Sequence, residues 1–330
     1  MKKENIVKIL LKFFIVMIAF IGLYVFTDYI VFTIEKQKMI PELKATLKFK
    51  YFLKPSDVFM EYTPDGYFTD KENPSNSGRP PAGLEYKNKM PIVVFGCSFA
   101  EGLFLKKEQN FCYKLAHALK RPVYNRAIGG GSVQHMYLQV LSDKFYEEVP
   151  PADTIIYVFT QMQYRLLSGE TWNVTDNFLY PYFEYENGKL KYADFKNPFL
   201  NFIRSSYLIR LIVQKYNKAH FFDDKNEEYL TDLFTEHVVE TRETLANNPK
   251  YKEKHIKPKM VVLLYKNPKI EYKETLKRKL EAKGILVIDM SDIKGVQFNR
   301  SKYFVSYCHP SEKAWDVIVP FVVKKLQERS

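Results

Sequence analysis

Cysteine is scarce in this 330-residue chain, which carries only Cys97, Cys112 and Cys308. Thiols so few and so spaced form neither a disulfide framework nor a metal-ligand set. Small buried side chains are the expectation, with a Cys97–Cys308 pairing left as the alternative. Zinc-finger spacing, arginine clusters and helix-turn-helix patterns are absent too. The formal charge of +12, from 50 basic and 38 acidic residues, is spread along the sequence, which argues against nucleic acid as a partner. What that charge leaves is solubility, or attraction to an anionic lipid or glycan. Disorder is excluded by an apolar content of 46%, enough for one large core or two modest ones. Tryptophan is rare, two residues against 24 tyrosines and 26 phenylalanines, and that aromatic surplus suits both a deep core and a sugar-facing surface.

One long apolar run is present. Between residues 9 and 31 only Lys12 and Asp28 are charged, and a helix over that stretch would rise about 34 Å, enough to cross a hydrocarbon core of roughly 30 Å. Both charges lie near its ends, where they reach headgroups. No small-x-small cleavage site closes the run, which favours a retained anchor over a removed signal peptide. Lysines flank it on both sides, Lys2, Lys3, Lys8 and Lys12 before and Lys36, Lys38, Lys44, Lys48, Lys50 and Lys54 after, so the positive-inside rule sets no clear orientation. A single short-tailed anchor is the usual way to hold an exported enzyme. The expected division is a tail and transmembrane anchor at 1–34, a linker or strap at 35–90, and a folded domain at 91–330 with an aromatic hairpin and helical insertion at about 171–250.

Within that domain, apolar runs of strand length alternate with amphipathic stretches of helix length. Strands are expected at 92–95, 122–124, 154–159, 260–265 and 285–290. A helix through Phe111, Cys112, Leu115, Ala116 and Leu119 follows the first. Another, from 133 to about 148, carries Val133, Met136, Tyr137, Val140 and Leu141 inward. Further helices are expected at 202–216 and at about 226–245, and Asn187-Gly188 predicts a two-residue hairpin. The fold implied is α/β: a three-layer α/β/α arrangement around a doubly wound, mainly parallel sheet.

The chemistry gathers at the two ends of this domain. PIVVFGCSFAEG, from Pro91 to Gly102, reads as a buried strand that stops at Gly96-Cys97 and delivers Ser98 onto a tight turn. A serine there has its hydroxyl at the carboxyl end of a sheet and its N–H beside an oxyanion; the other reading is a serine that caps the next helix. Near the far end, His309-Pro310 precedes a last helix capped by Ser311. Its buried face is Ala314, Ile318, Phe321, Val322 and Leu326, with a kink expected at Pro320. The glycines at 129–131 mark a turn where backbone approaches something closely or adopts positive φ.

In these residues, over roughly 91–327, the chain resembles the SGNH/GDSL hydrolase superfamily, especially its membrane-anchored branch acting on acyl groups of bacterial glycans. Gly96-Cys97-Ser98-Phe99 matches the nucleophile turn, so the resemblance implies Ser98 as nucleophile with its own N–H as one oxyanion donor. The segment from Asn125 to Gly131 matches the second block, with Gly130 the implied second donor. The third block's asparagine is replaced, leaving Gln161 or Gln163 to supply an amide. His309-Pro310 matches the last block, and the aspartate that normally precedes it is replaced by Ser306, Tyr307 and Cys308. Asp292 or Asp289 is then the candidate orienting acid, unless Ser98 and His309 act as a dyad. Asn125, Arg165 and Trp172 are candidates for the substrate groove.

The activity implied is that of a serine-dependent ester hydrolase or O-acyltransferase, acting on acetyl groups of a cell-surface polysaccharide and needing no metal or cofactor. The transferase form would imply a multi-pass membrane partner that delivers acyl groups. The location implied is the cell membrane, with the catalytic domain outside the cytoplasm. Two other readings stand beside it. A catalytically silent glycan-binding or assembly scaffold expects no close Ser98–His309 pair, and a lipid esterase would work on the bilayer itself.

Overall fold

Strands buried on both faces need no polar side, which is why the apolar runs of this sequence become the centre of a parallel sheet. The computed structural model describes residues 19–20, 22–24, 26–27, 81–102, 105–127, 131–160, 183–186, 189–192, 224–265, 273–294, 303–305 and 309–328. In chain order the strands are β1 (Ile92–Gly96), β2 (Val123–Asn125), β3 (Thr154–Phe159), β4 (Phe183–Glu186), β5 (Lys189–Tyr192), β6 (Lys259–Leu264), β7 (Leu286–Asp289), β8 (Phe304–Val305) and β9 (His309–Pro310). Five of them form one sheet in the order β2-β1-β3-β6-β7, with every neighbouring pair parallel. β4 and β5 pair antiparallel with Glu186 opposite Lys189, the hairpin expected at Asn187-Gly188. β8 and β9 form a separate antiparallel pair.

The helices are α1 (Ser98–Glu101), α2 (Phe111–Leu119), α3 (Val133–Val140), α4 (Asp143–Glu148), α5 (Asp224–Asn247), α6 (Pro249–Glu253), α7 (Lys273–Ala282) and α8 (Glu312–Gln327). Alternate strand residues go to opposite faces. Val93, Phe95, Ile155, Tyr157, Phe159 and Val262 join a core closed by α3 to α7, whereas Ile92, Val94, Ile156, Val158 and Val261 join one closed by α1, α2 and α8. These are the three layers expected. The chain moves outward from β1 to β2 and returns past β1 to β3, so its direction reverses between β1 and β3. The crevice outside the carboxyl ends of two such strands is where sheets of this kind bind ligands.

Three expectations change. The helix foreseen from 133 to about 148 is two helices, because Leu141 ends α3 and Ser142 begins α4; Leu141 therefore turns outward and is 50% exposed. The boundary at 91 lies too late, since Ala82 exchanges both backbone hydrogen bonds with Val123 at 2.9 Å and covers the open edge of β2. The long helix assigned to an insertion is a core layer instead, with α5 burying Leu230, Leu233, Phe234, Val238 and Leu245. α5 also buries Thr231, Thr235, His237 and Thr241. Such groups are tolerated because they bond back along the helix: Thr235 Oγ1 donates to Thr231 O, Thr241 Oγ1 to His237 O and His237 Nδ1 to Leu233 O, each at 2.7 Å.

Two compact units divide the chain, and all described residues from 81 onward belong to one of them. The other includes the helical residues Phe20, Leu23 and Phe26, which are 61–69% exposed. Among the described residues no helix is long and apolar enough to cross a membrane. Most of the run 9–31 falls outside them, as do residues 35–80 of the expected strap and the helix expected at 202–216.

Candidate active site

A strand that must turn sharply into a helix needs a residue without a side chain at the corner. Gly96 is that residue. Its φ is +149°, and a Cβ there would stand 3.0 Å from Val158 O and 3.0 Å from the Cβ of Ala100. Cys97 then takes the N-cap position of α1 and Ser98 the first helical one, so the reading of Ser98 as a helix cap does not hold. The Cys97 side chain points into the protein, fully buried, with Sγ 3.8 Å from Thr160 Oγ1. It is a free thiol, and burial pushes it up from its ordinary value, which suits packing rather than nucleophilic attack.

His309 reaches this turn from 211 positions away in sequence. Its Nε2 lies 2.8 Å from Ser98 Oγ, and its ring lies beside that of Phe99 with centroids 5.1 Å apart. The register of β9 against β8 sets Val305 opposite His309. Immediately after, Ser311 N–H donates to Tyr303 O at 2.9 Å, while Ser311 Oγ accepts from Ala314 N–H at 3.3 Å, the cap expected from sequence. The start of α8 is tied to α2 and the turn before it: Gln109 Nε2 donates to Glu312 Oε2 at 3.0 Å, and Lys114 Nζ to Asp316 Oδ1 at 2.7 Å. α8 runs unbroken through Pro320. It buries Ala314, Ile318 and Val322 as expected, and Trp315 and Val319 in addition.

Asn125 ends β2, next to β1, and is buried. Its Nδ2 donates to Ala100 O at 3.3 Å and to Glu101 O at 3.2 Å, and its Oδ1 accepts from Ala127 N–H at 3.1 Å. The amide is thus bonded to backbone through both Nδ2 and Oδ1, and Asn125 braces the short helix that carries Ser98. Asn125→Ala leaves those buried groups without their partner and is expected to cost about 2 kcal/mol of unfolding free energy, read from urea denaturation midpoints.

Neither carboxylate takes the orienting position expected of it. Asp289 is buried at the end of β7, where it accepts from Ser291 N–H at 2.8 Å and pairs with Lys273. Asp292 is exposed. Among the described residues no hydrogen bond or ion pair joins either one to His309. Gly130, Gln161, Gln163, Arg165, Trp172 and Cys308 lie outside the described residues. Residues that pattern reading missed are Phe99, Thr160 and Tyr265 around the serine turn, and the Gln109–Glu312 and Lys114–Asp316 ties. The signal for Phe99 was its place directly after Ser98; the ties join residues about 200 positions apart and left none.

No family model matches the chain, and no curated protein matches it. Several solved structures are similar to it. One is a member of the lipolytic protein G-D-S-L family from Veillonella parvula, at 14% identity over 72% of this chain and 97% of that one, with a TM-score of 0.40. Another is the lipase Lip_vut3 from a goat rumen metagenome, at 11% over 72% and 97%, TM-score 0.43. A third is an acetyl xylan esterase from Butyrivibrio proteoclasticus, at 10% over 73% of this chain and 64% of that one, TM-score 0.41.

Proposed function

We propose that this chain is a serine-dependent acyl-ester hydrolase or O-acyltransferase in which Ser98 is the nucleophile and His309 its general base. The observation that carries the reading is the 2.8 Å contact between Ser98 Oγ and His309 Nε2, made beside the carboxyl end of β1, where the strand order reverses. A silent scaffold has no need of that pair.

In the proposed cycle the Ser98 hydroxyl gives its proton to His309 Nε2 as Oγ bonds to the ester carbonyl carbon. Negative charge gathers on the carbonyl oxygen, for which the N–H groups of Ser98 and Gly130 and the amide of Gln161 or Gln163 are the proposed donors. The tetrahedral intermediate collapses by breaking the bond to the alcohol, which leaves with the proton from His309. A water or sugar hydroxyl then attacks the acyl-serine and surrenders its proton to His309, which passes it to Ser98 Oγ as the acyl–Oγ bond breaks. Water yields a carboxylic acid, and a sugar yields a new ester. The substrate class proposed is acetyl groups of a cell-surface polysaccharide, with Arg165 and Trp172 in the groove. The transferase branch would need a multi-pass membrane protein as source of acyl groups.

Attachment to the bilayer by residues 9–31, with the catalytic domain outside the cytoplasm, belongs to the same proposal. The exposed Phe20, Leu23 and Phe26 support it, because an apolar helix surface of that kind is better solvated by lipid than by water.

The test is labelling with a serine-reactive fluorophosphonate, read by intact mass and peptide mapping. One adduct is expected, on Ser98, absent in Ser98→Ala. Folded protein that takes up no label at neutral or mildly alkaline pH would overturn the reading. Supplying an acetyl ester together with a polysaccharide separates the branches: free acetate marks the hydrolase, acetylated glycan the transferase.

A further inference from the structure

A hydrogen bond fixes one atom of an imidazole and leaves the ring free to rock about it. At His309 a further contact comes from the residue after the nucleophile. The Phe99 ring meets the imidazole at 5.1 Å with planes inclined at 54°, so two consecutive residues of α1 touch the same histidine, one at Nε2 and one at a tilt against its ring. Phe99 is itself backed by further rings. Tyr265 stands edge-to-face against it at 5.2 Å and 84°, and Trp315 stands against Tyr265 at 6.2 Å. Both supports are buried, and the Tyr265 backbone is anchored by its N–H donating to Phe159 O at 2.9 Å.

We propose that Phe99 is a positioning residue for His309, its ring backed by Tyr265 and Trp315 so that the imidazole plane keeps Nε2 aligned on Ser98 Oγ. The rings reach this point from α1, the end of β6 and α8, so the orientation of the histidine is set where three elements meet. A base that rocks out of line spends less time in the geometry that accepts the proton, and the chemical step slows while the capacity to bind an ester is unchanged. The kinetic consequence rests on the general-base role proposed above; the restraint on the ring rests on the contacts alone.

Phe99→Leu keeps apolar bulk and removes the flat ring, Phe99→Met does the same with a longer chain, and Phe99→Tyr keeps the ring. In fluorophosphonate inactivation, the maximal rate constant is expected to fall roughly tenfold in the Leu and Met variants, with the half-saturating concentration held within about twofold and Phe99→Tyr at the wild-type rate. The same proteins, labelled with 13C-histidine, report the ring directly. The His309 Cε1–H resonance is expected to be sharp in wild type and Phe99→Tyr, and broadened by rotamer exchange in Phe99→Leu. A wild-type inactivation rate or a sharp His309 line in the Leu variant would overturn the inference. So would a raised half-saturating concentration at unchanged maximal rate, which would make Phe99 a wall of the substrate groove. Wild-type protein that resists labelling while the line broadens as expected would sink the general-base reading and leave the positioning intact.

Discussion

His309→Ala is expected to lower kcat/KM for a simple acetyl ester by about 10³-fold. The expectation follows from what the ring touches. With Nε2 at 2.8 Å from Ser98 Oγ, the imidazole is the described side chain bonded to the serine hydroxyl. An alcohol attacking without a base must lose its proton to water instead, at a large cost in rate. His309 is half-buried on a two-residue strand, so its truncation removes little core. The ties from Gln109 and Lys114 to α8 persist without it. The variant should keep a wild-type unfolding midpoint, and added imidazole should restore part of the rate. Steady-state kinetics with p-nitrophenyl acetate makes the comparison, and a variant as active as wild type would remove His309 from the mechanism.

The second large effect concerns stability. His237 lies fully buried on α5, its ring edge-to-face with Tyr137 at 5.9 Å. A carbonyl can only accept, so the bond to Leu233 O makes Nδ1 the protonated nitrogen of a neutral ring. Burial pushes the imidazole down to about 4 from an ordinary 6.5, with the Leu233 carbonyl opposing the change. Between those two values the unfolded chain binds a proton that the folded chain refuses, so unfolding becomes easier as pH falls. Stability from this group is complete above about pH 6.5 and declines to a floor near pH 4. At about 1.4 kcal/mol per pH unit the whole decline amounts to about 3 kcal/mol. Urea titrations of wild type and His237→Leu at neutral pH and near pH 4 should differ in their pH dependence by about that amount. Equal pH dependence in the two proteins would show that His237 titrates normally.

The central strands were legible because helices on both faces turn a strand into a continuous apolar run, as in IVVF and TIIYVF. Ser311 was legible because a capping serine acts on the residues next to it, and the hairpin because Asn-Gly suits a two-residue loop. What escaped the sequence depends on partners far away in it. Asn125 reads as a polar loop residue until its amide is seen on carbonyls 24 and 25 residues earlier. Asp289 reads as a carboxylate ready to orient a histidine, and only the fold reveals Lys273 of α7 already on it. The break after α3 was hidden because Phe145 and Tyr146 of α4 return to the same core, so apolar periodicity runs across Ser142 as if the helix continued. Trp315 lay outside the expected stripe of α8 because that helix packs against α2 and the sheet together, which buries a broader face than a stripe at three- and four-residue spacing.

The 211-residue gap between Ser98 and His309 also sets a clock. A ribosome adding about 5–20 residues per second completes the turn at Ser98 about 10–40 s before it reaches the histidine. Within that interval β3, β6 and β7 are still being added to the sheet, and Ser98 Oγ has no His309 Nε2 to bond. A chain still under synthesis therefore carries Ser98 without the imidazole it pairs with. The pair forms only once the segment that carries His309, which leads into α8, has been made. The Ser98–His309 contact thus joins the end of β1 to the start of α8, the two ends of the domain in sequence.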